Sequence, residues 1–146
     1  MAVTIRGSGQ VPIQIQTSTL GSAFSTTSQS ATNTTLLVTI TPTNVANKIL
    51  VVVSGGAFGY TNSGSSNYSF AIFRGGAGGT SVAGATINTT GSVSQLQMPG
   101  ALQGLDSPAT TSAITYYLVI NTQPGVGGTV TVREGACITA TEIAYA

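Results

Sequence analysis

Thr35-Leu36-Leu37-Val38-Thr39-Ile40-Thr41, then Pro42-Thr43-Asn44, then Lys48-Ile49-Leu50-Val51-Val52-Val53-Ser54: these segments decide the fold class. In the first, Leu36, Val38 and Ile40 alternate with Leu37, Thr39 and Thr41, the two-residue period of a strand. Pro42 fixes φ and Asn44 tolerates left-handed backbone, so the chain turns there. The next segment is apolar at every position from Ile49 to Val53. A strand of that kind needs cover on both faces. One cover is the core; a neighbouring subunit is the candidate for the other.

The same reading extends outward along the chain. Tyr68, Phe70 and Ile72 share one face of a strand over 68–74, and Tyr116, Leu118 and Ile120 share one face over 114–122. Val130 and Val132 face inward over 129–133, and residues 136–144 form the last strand. Shorter candidates lie at 11–16, 82–87, 93–98 and 102–105. Residues 55–67 (Gly, Ser and Asn around Phe58 and Tyr60) and the run Gly75-Gly76-Ala77-Gly78-Gly79 are expected as loops. No segment has helical periodicity. The 19 glycines and the many β-branched residues oppose helix. The expected fold is all-β: a single jelly-roll-like β-sandwich of about eight or nine antiparallel strands with a short N-terminal arm. Residues 1–20 form that arm or an ordinary first strand, and residues 21–146 form the sandwich. An arm would pair with a neighbouring chain to satisfy its backbone groups.

Charge is the anomaly of the composition. Of 146 residues, 41% are hydrophobic, enough for a core, but only 5% are charged, against about 25% in an ordinary domain. The ionised side chains are Arg6, Lys48, Arg74, Asp106, Arg133, Glu134 and Glu142. Free monomers usually stay soluble by displaying mixed charge. A neutral, hydroxyl-rich skin packs against a partner without the desolvation of ions. The composition therefore points to an assembly, which for soluble proteins usually means copies of the same chain. Four cations at a net charge of +1 cannot neutralise a run of phosphates, so nucleic acid is not an expected partner. The longest strongly apolar run has five residues, Ile49 to Val53, and a membrane span is not expected.

The sequence offers little for catalysis. Histidine is absent, which removes the commonest general base and metal ligand together. Cys137 is the single cysteine and reads as a small hydrophobe in a strand. Asp106 in Leu105-Asp106-Ser107-Pro108 reads as a turn cap, and Glu134 as a solvated hairpin tip. Glu142 has the parity of Ile138 and Ala140 and points inward. A buried carboxylate needs a cation or several donors, so Glu142 with Lys48 or Arg74 is the expected structural ion pair. The stretch 75–80 lacks the Gly-Lys-Ser/Thr ending of a phosphate loop. No catalytic, cofactor-binding or metal-ligating residues are assigned. The loop around Tyr60, Asn62 and Asn67 is the candidate contact with a host surface or glycan, because Tyr, Ser, Gly and Asn make adaptable contacts.

Several phrases occur together in order: Ile40-Thr41-Pro42-Thr43 before Asn47-Lys48-Ile49-Leu50-Val51, then Phe70-Ala71-Ile72-Phe73-Arg74. Leu105-Asp106-Ser107-Pro108-Ala109-Thr110-Thr111-Ser112 follows with Thr115-Tyr116-Tyr117, then Thr129-Val130-Thr131-Val132 and Ile138-Thr139-Ala140-Thr141-Glu142-Ile143. From about residue 13 onward the chain resembles a β-sandwich module of tailed bacteriophages, notably marine and cyanobacterial ones. There it occurs as small virion proteins and at the ends of tail fibres. The 105–117 stretch is the most specific part of the resemblance. The resemblance implies a homotrimer on the virion surface, without catalysis. With only a short arm ahead of the sandwich, the chain suits a capsid decoration (cement) protein bound to the major capsid protein. The alternative is a receptor-binding tail-fibre tip or short fibre, held by tail proteins and touching host surface glycans.

Overall fold

The structure, a computed structural model, describes residues 12–62, 66–91, 93–122 and 128–144. Ten strands run in chain order: β1 (Pro12–Thr19), β2 (Phe24–Thr26), β3 (Thr32–Ile40), β4 (Lys48–Asn62) and β5 (Ser66–Arg74). They continue as β6 (Thr80–Thr89), β7 (Val93–Asp106), β8 (Ile114–Thr122), β9 (Gly128–Val132) and β10 (Cys137–Ile143). A four-stranded sheet has the order β3-β8-β5-β6. A six-stranded sheet has the order β1-β10-β4-β9-β2, with β7 also paired to β4. Every strand pairing is antiparallel. The chain crosses between the sheets from β2 to β5 and again from β6 to β9, whereas β1 and β2, β5 and β6, and β9 and β10 are consecutive strands of one sheet. The two sheets form the expected sandwich.

The alternation read from the sequence sets the core. Leu36, Val38 and Ile40 of β3, Tyr116, Leu118 and Ile120 of β8, and Tyr68, Phe70 and Ile72 of β5 face the other sheet and are buried. Ile49, Val51 and Val53 of β4 with Ile138 and Ala140 of β10 meet them from the six-stranded sheet. Two aromatic stacks join the layers. Phe58 lies on Phe70 at 4.4 Å between centroids, and Tyr60 lies on Tyr68 at 4.1 Å, each adding to the area it buries.

Long β4 is the spine of the six-stranded sheet. β7 runs beside its whole length, whereas β10 pairs with its first half and β9 with its second. The β9–β10 turn thus abuts the middle of β4, where Gly55 and Gly56 take positive φ. A Cβ on Gly56 would lie 2.7 Å from the backbone nitrogen of Ala136. Only glycine lets β4 bulge there and accept the turn.

Two expectations are corrected, and one strand, β2, is added to those expected. The segment 55–62, expected as loop, continues β4, because the sheet on either side supplies its backbone partners. The candidates at 93–98 and 102–105 are one strand, since Pro99 sits on β7, paired on one side only, where no donor is needed outward. β2 has three residues, too few for any period to show. Within the 1–20 segment, Pro12–Thr19 is the outer strand of the six-stranded sheet, paired with β10 of its own chain. Residues 1–11 lie outside the described residues.

Candidate functional site

Tyr60 is not a surface contact. At even parity with Phe58 on β4, its ring turns into the core and is 2% exposed. Burial raises its pKa, with Thr89 opposing and Tyr68 adding to the rise. Asn62 ends β4, and its side chain lies outside the described residues. Asn67 is exposed on β5. Of the residues expected to form one glycan contact, Tyr60 therefore lies in the core and Asn67 on the surface. The sequence reading missed this because the glycines around Tyr60 hid the strand period that places it.

Glu142 points inward and is fully buried, but the expected ion pair is corrected. Its Oε1 accepts from the Thr43 backbone N–H at 2.7 Å, the Thr43 hydroxyl at 2.8 Å and Asn47 Nδ2 at 2.7 Å. Its Oε2 accepts from Gln14 Nε2 at 2.6 Å, which also donates to the Thr41 carbonyl. Burial alone would raise the carboxyl pKa. The hydrogen bonds from Asn47, Gln14 and Thr43 outweigh it and bring the value down to about 2. Lys48 is opposite Ile143 in register, one residue out of phase with Glu142, and so belongs to the other face of the sheet. Arg74 is held elsewhere: its Nη1 donates to Asp106 Oδ2 at 3.1 Å. Neutral donors thus do for Glu142 what a cation was expected to do. They tie β1, β10 and the β3–β4 turn together.

Asp106 is likewise corrected from turn cap to buried acceptor. Besides Arg74 it accepts from the Tyr116 hydroxyl at 2.8 Å. Burial and then the Asp106 carboxylate push the Tyr116 pKa up. Arg74 on β5 and Asp106 on β7 belong to opposite sheets, so this cluster latches one end of the sandwich. Both acids are structural in their surroundings.

What is left for function is the outer face of the six-stranded sheet. Across β1, β10, β4 and β7, register places Ile15, Thr141, Leu50 and Leu105 in one row. Thr17, Thr139, Val52 and Gln103 form the next row, and Thr19, Cys137, Ser54 and Ala101 the third. None of these twelve positions is Asp, Glu, Lys or Arg. Ile15 is 60% and Leu105 49% exposed, with Ile13 of β1 also open at 46%. Four strands and three two-residue repeats cover roughly 400 Å², within which Ile15, Leu50, Val52 and Leu105 are the large apolar side chains and Thr, Ser and Gln fill most of the rest. Leu50 and Val52 are the second apolar face of the segment that opened the sequence reading, and among the described residues no further layer lies over that face.

No protein-family model matches the sequence, and no curated protein matches it. Among solved structures the chain is similar to Eiger TNF from S. frugiperda, with 12% identity and a TM-score of 0.49 over 93% of this chain and 96% of that one. It is also similar to a chain of infectious bursal disease virus Gx strain. There identity is 15% and the TM-score 0.32, over 92% of this chain and 37% of that one. Neither likeness carries a residue role to this chain.

Proposed function

We propose that this chain is a non-enzymatic structural module that works as a homotrimer on the surface of a tailed-phage virion, as a capsid decoration protein. The observation that carries the assembly is the three ion-free rows on the outer face of β1, β10, β4 and β7, with Ile15, Leu50, Val52 and Leu105 at one end and Lys48 of β4 beyond them at the rim. Covering these rows removes apolar surface from water, which favours association by about 25 cal/mol per Å², and the rows themselves hold no charge. The virion setting rests on the phage resemblance of residues 105–117. Decoration is favoured over the fibre tip because Tyr60, the aromatic centre of the glycan contact, lies in the core.

Light scattering on the purified chain tests the assembly. The expected mass is three times the 14.5 kDa of the chain, falling to a monomer in Ile15→Arg/Leu105→Arg with the strand spectrum unchanged. A wild-type monomer at micromolar concentration, or a trimer indifferent to both arginines, overturns the assembly through this face. Copies per virion on a stained gel test the location: hundreds fit decoration, and about a dozen would place the protein in the tail.

A further inference from the structure

We propose that the residues just before β1 fold back on it as a further strand, Ala2 to Arg6 docking along the open edge of the six-stranded sheet of their own chain. β1 is the last strand on its side. One of its edges pairs with β10, and the other makes no backbone hydrogen bond among the described residues. A bare edge of this length recruits another strand unless charge, proline or a bulge blocks it. Here the block is confined to the start, where Pro12 and the irregularity between Pro12 and Gln14 lie. From Gln14 to Thr19 the strand has neither proline nor charge. It also carries open apolar surface, with Ile13 46% and Ile15 60% exposed.

The chain leading into β1 has the matching chemistry. Val3 and Ile5 alternate with Ala2, Thr4 and Arg6, the two-residue period of a strand. Gly7-Ser8-Gly9 follows, and glycine supplies the left-handed backbone that a short hairpin turn uses. A turn of three residues (Gly7 to Gly9) or of five (Gly7 to Val11) sets odd residues opposite odd ones. Val3 and Ile5 then fall on the face of Ile13 and Ile15, and Arg6 falls on the other. The occupant is this chain's own segment and not a second copy's. Tethered so close to the edge, it has an effective concentration of millimolar order, and closing so short a loop costs little entropy. The pairing does not rest on the trimer: Val3 and Ile5 extend the apolar surface of Ile13 and Ile15 whether or not copies assemble.

The test is oxidative cross-linking of the full chain in a Cys137→Ser background, followed on non-reducing gels. Val3→Cys/Ile13→Cys and Ile5→Cys/Ile13→Cys place both thiols on one face, directly opposite each other in the three- and the five-residue turn respectively. Thr4→Cys/Ile13→Cys places them on opposite faces. At least one same-face pair is expected to close within a single chain, several-fold faster than the Thr4 pair. Hydrogen exchange on the wild-type chain gives the second measurement. The backbone amides of residues 3–6 are expected to exchange about tenfold or more slowly than in an unfolded chain. Val3→Asp/Ile5→Asp is expected to remove that protection while the amides of β10 keep theirs. Equal closure of the three pairs, a disulfide that joins two chains, unprotected amides in the wild type, or protection that survives both aspartates overturns the proposal.

Discussion

Replacing Glu142 by Gln is the perturbation that most directly probes how the sandwich closes. The side chain keeps its shape, so no cavity forms. Oε1 keeps its three donors only if the new amide turns its oxygen towards Thr43 and Asn47. Its NH₂ then faces Gln14 Nε2, which is already committed to the Thr41 carbonyl. Donor meets donor, and charge assistance is lost on every remaining bond. The folded carboxyl has a pKa of about 2 instead of 4.5, which corresponds to about 3 kcal/mol of native-state stabilisation. The sign follows from linkage: a depressed folded pKa contributes stability that is complete above pH 4.5 and is lost as pH falls towards 2. Glu142→Gln should therefore lower stability by about 3 kcal/mol at pH 7, or roughly 6–12 °C in midpoint temperature for a domain of this size. The gap between the two proteins should close between pH 4.5 and 2, because both side chains are then neutral. Denaturant unfolding of both proteins at pH 7, 4 and 2, at one protein concentration, measures this. A gap that persists at pH 2, or no gap at pH 7, would refute the claim that neutral donors hold a charged Glu142.

Three further outcomes are expected. Tyr116→Phe removes the hydroxyl from Asp106 and should cost about 1.5 kcal/mol. In the wild type the Tyr116 phenol, its pKa raised, contributes stability that is complete below pH 10 and is lost as pH rises through its folded value. Absorbance at alkaline pH should show it ionising only as the protein unfolds. Gly56→Ala and Gly135→Ala both place a methyl at positive φ, costing about 1–2 kcal/mol each. Only the first also strikes backbone, at Ala136 and Arg133, while the second meets open space. Thermal melts should therefore rank Gly56→Ala clearly below Gly135→Ala. Cys137 stands in the third row of the proposed trimer face, so a thiol reagent should modify it faster in Ile15→Arg/Leu105→Arg than in the wild type. Equal rates would count against that face as the contact.

The sequence by itself determined the sheet-only fold and most of the core. Period-two runs such as Leu36-Val38-Ile40 and Tyr116-Leu118-Ile120 carry their own orientation, because a strand sends alternate residues to opposite faces. It also determined that Glu142 faces inward and that the segment Ile49 to Val53 has two apolar faces. Only the tertiary structure decided who meets whom. Register between strands distant in sequence set Arg74 against Asp106 rather than Glu142, and surrounded Glu142 with Gln14, Thr43 and Asn47. Tyr60 went into the core because β9 and β7 flank β4 through its glycines. Local sequence cannot show that, since a glycine-rich stretch forms a strand only when neighbours supply its hydrogen bonds.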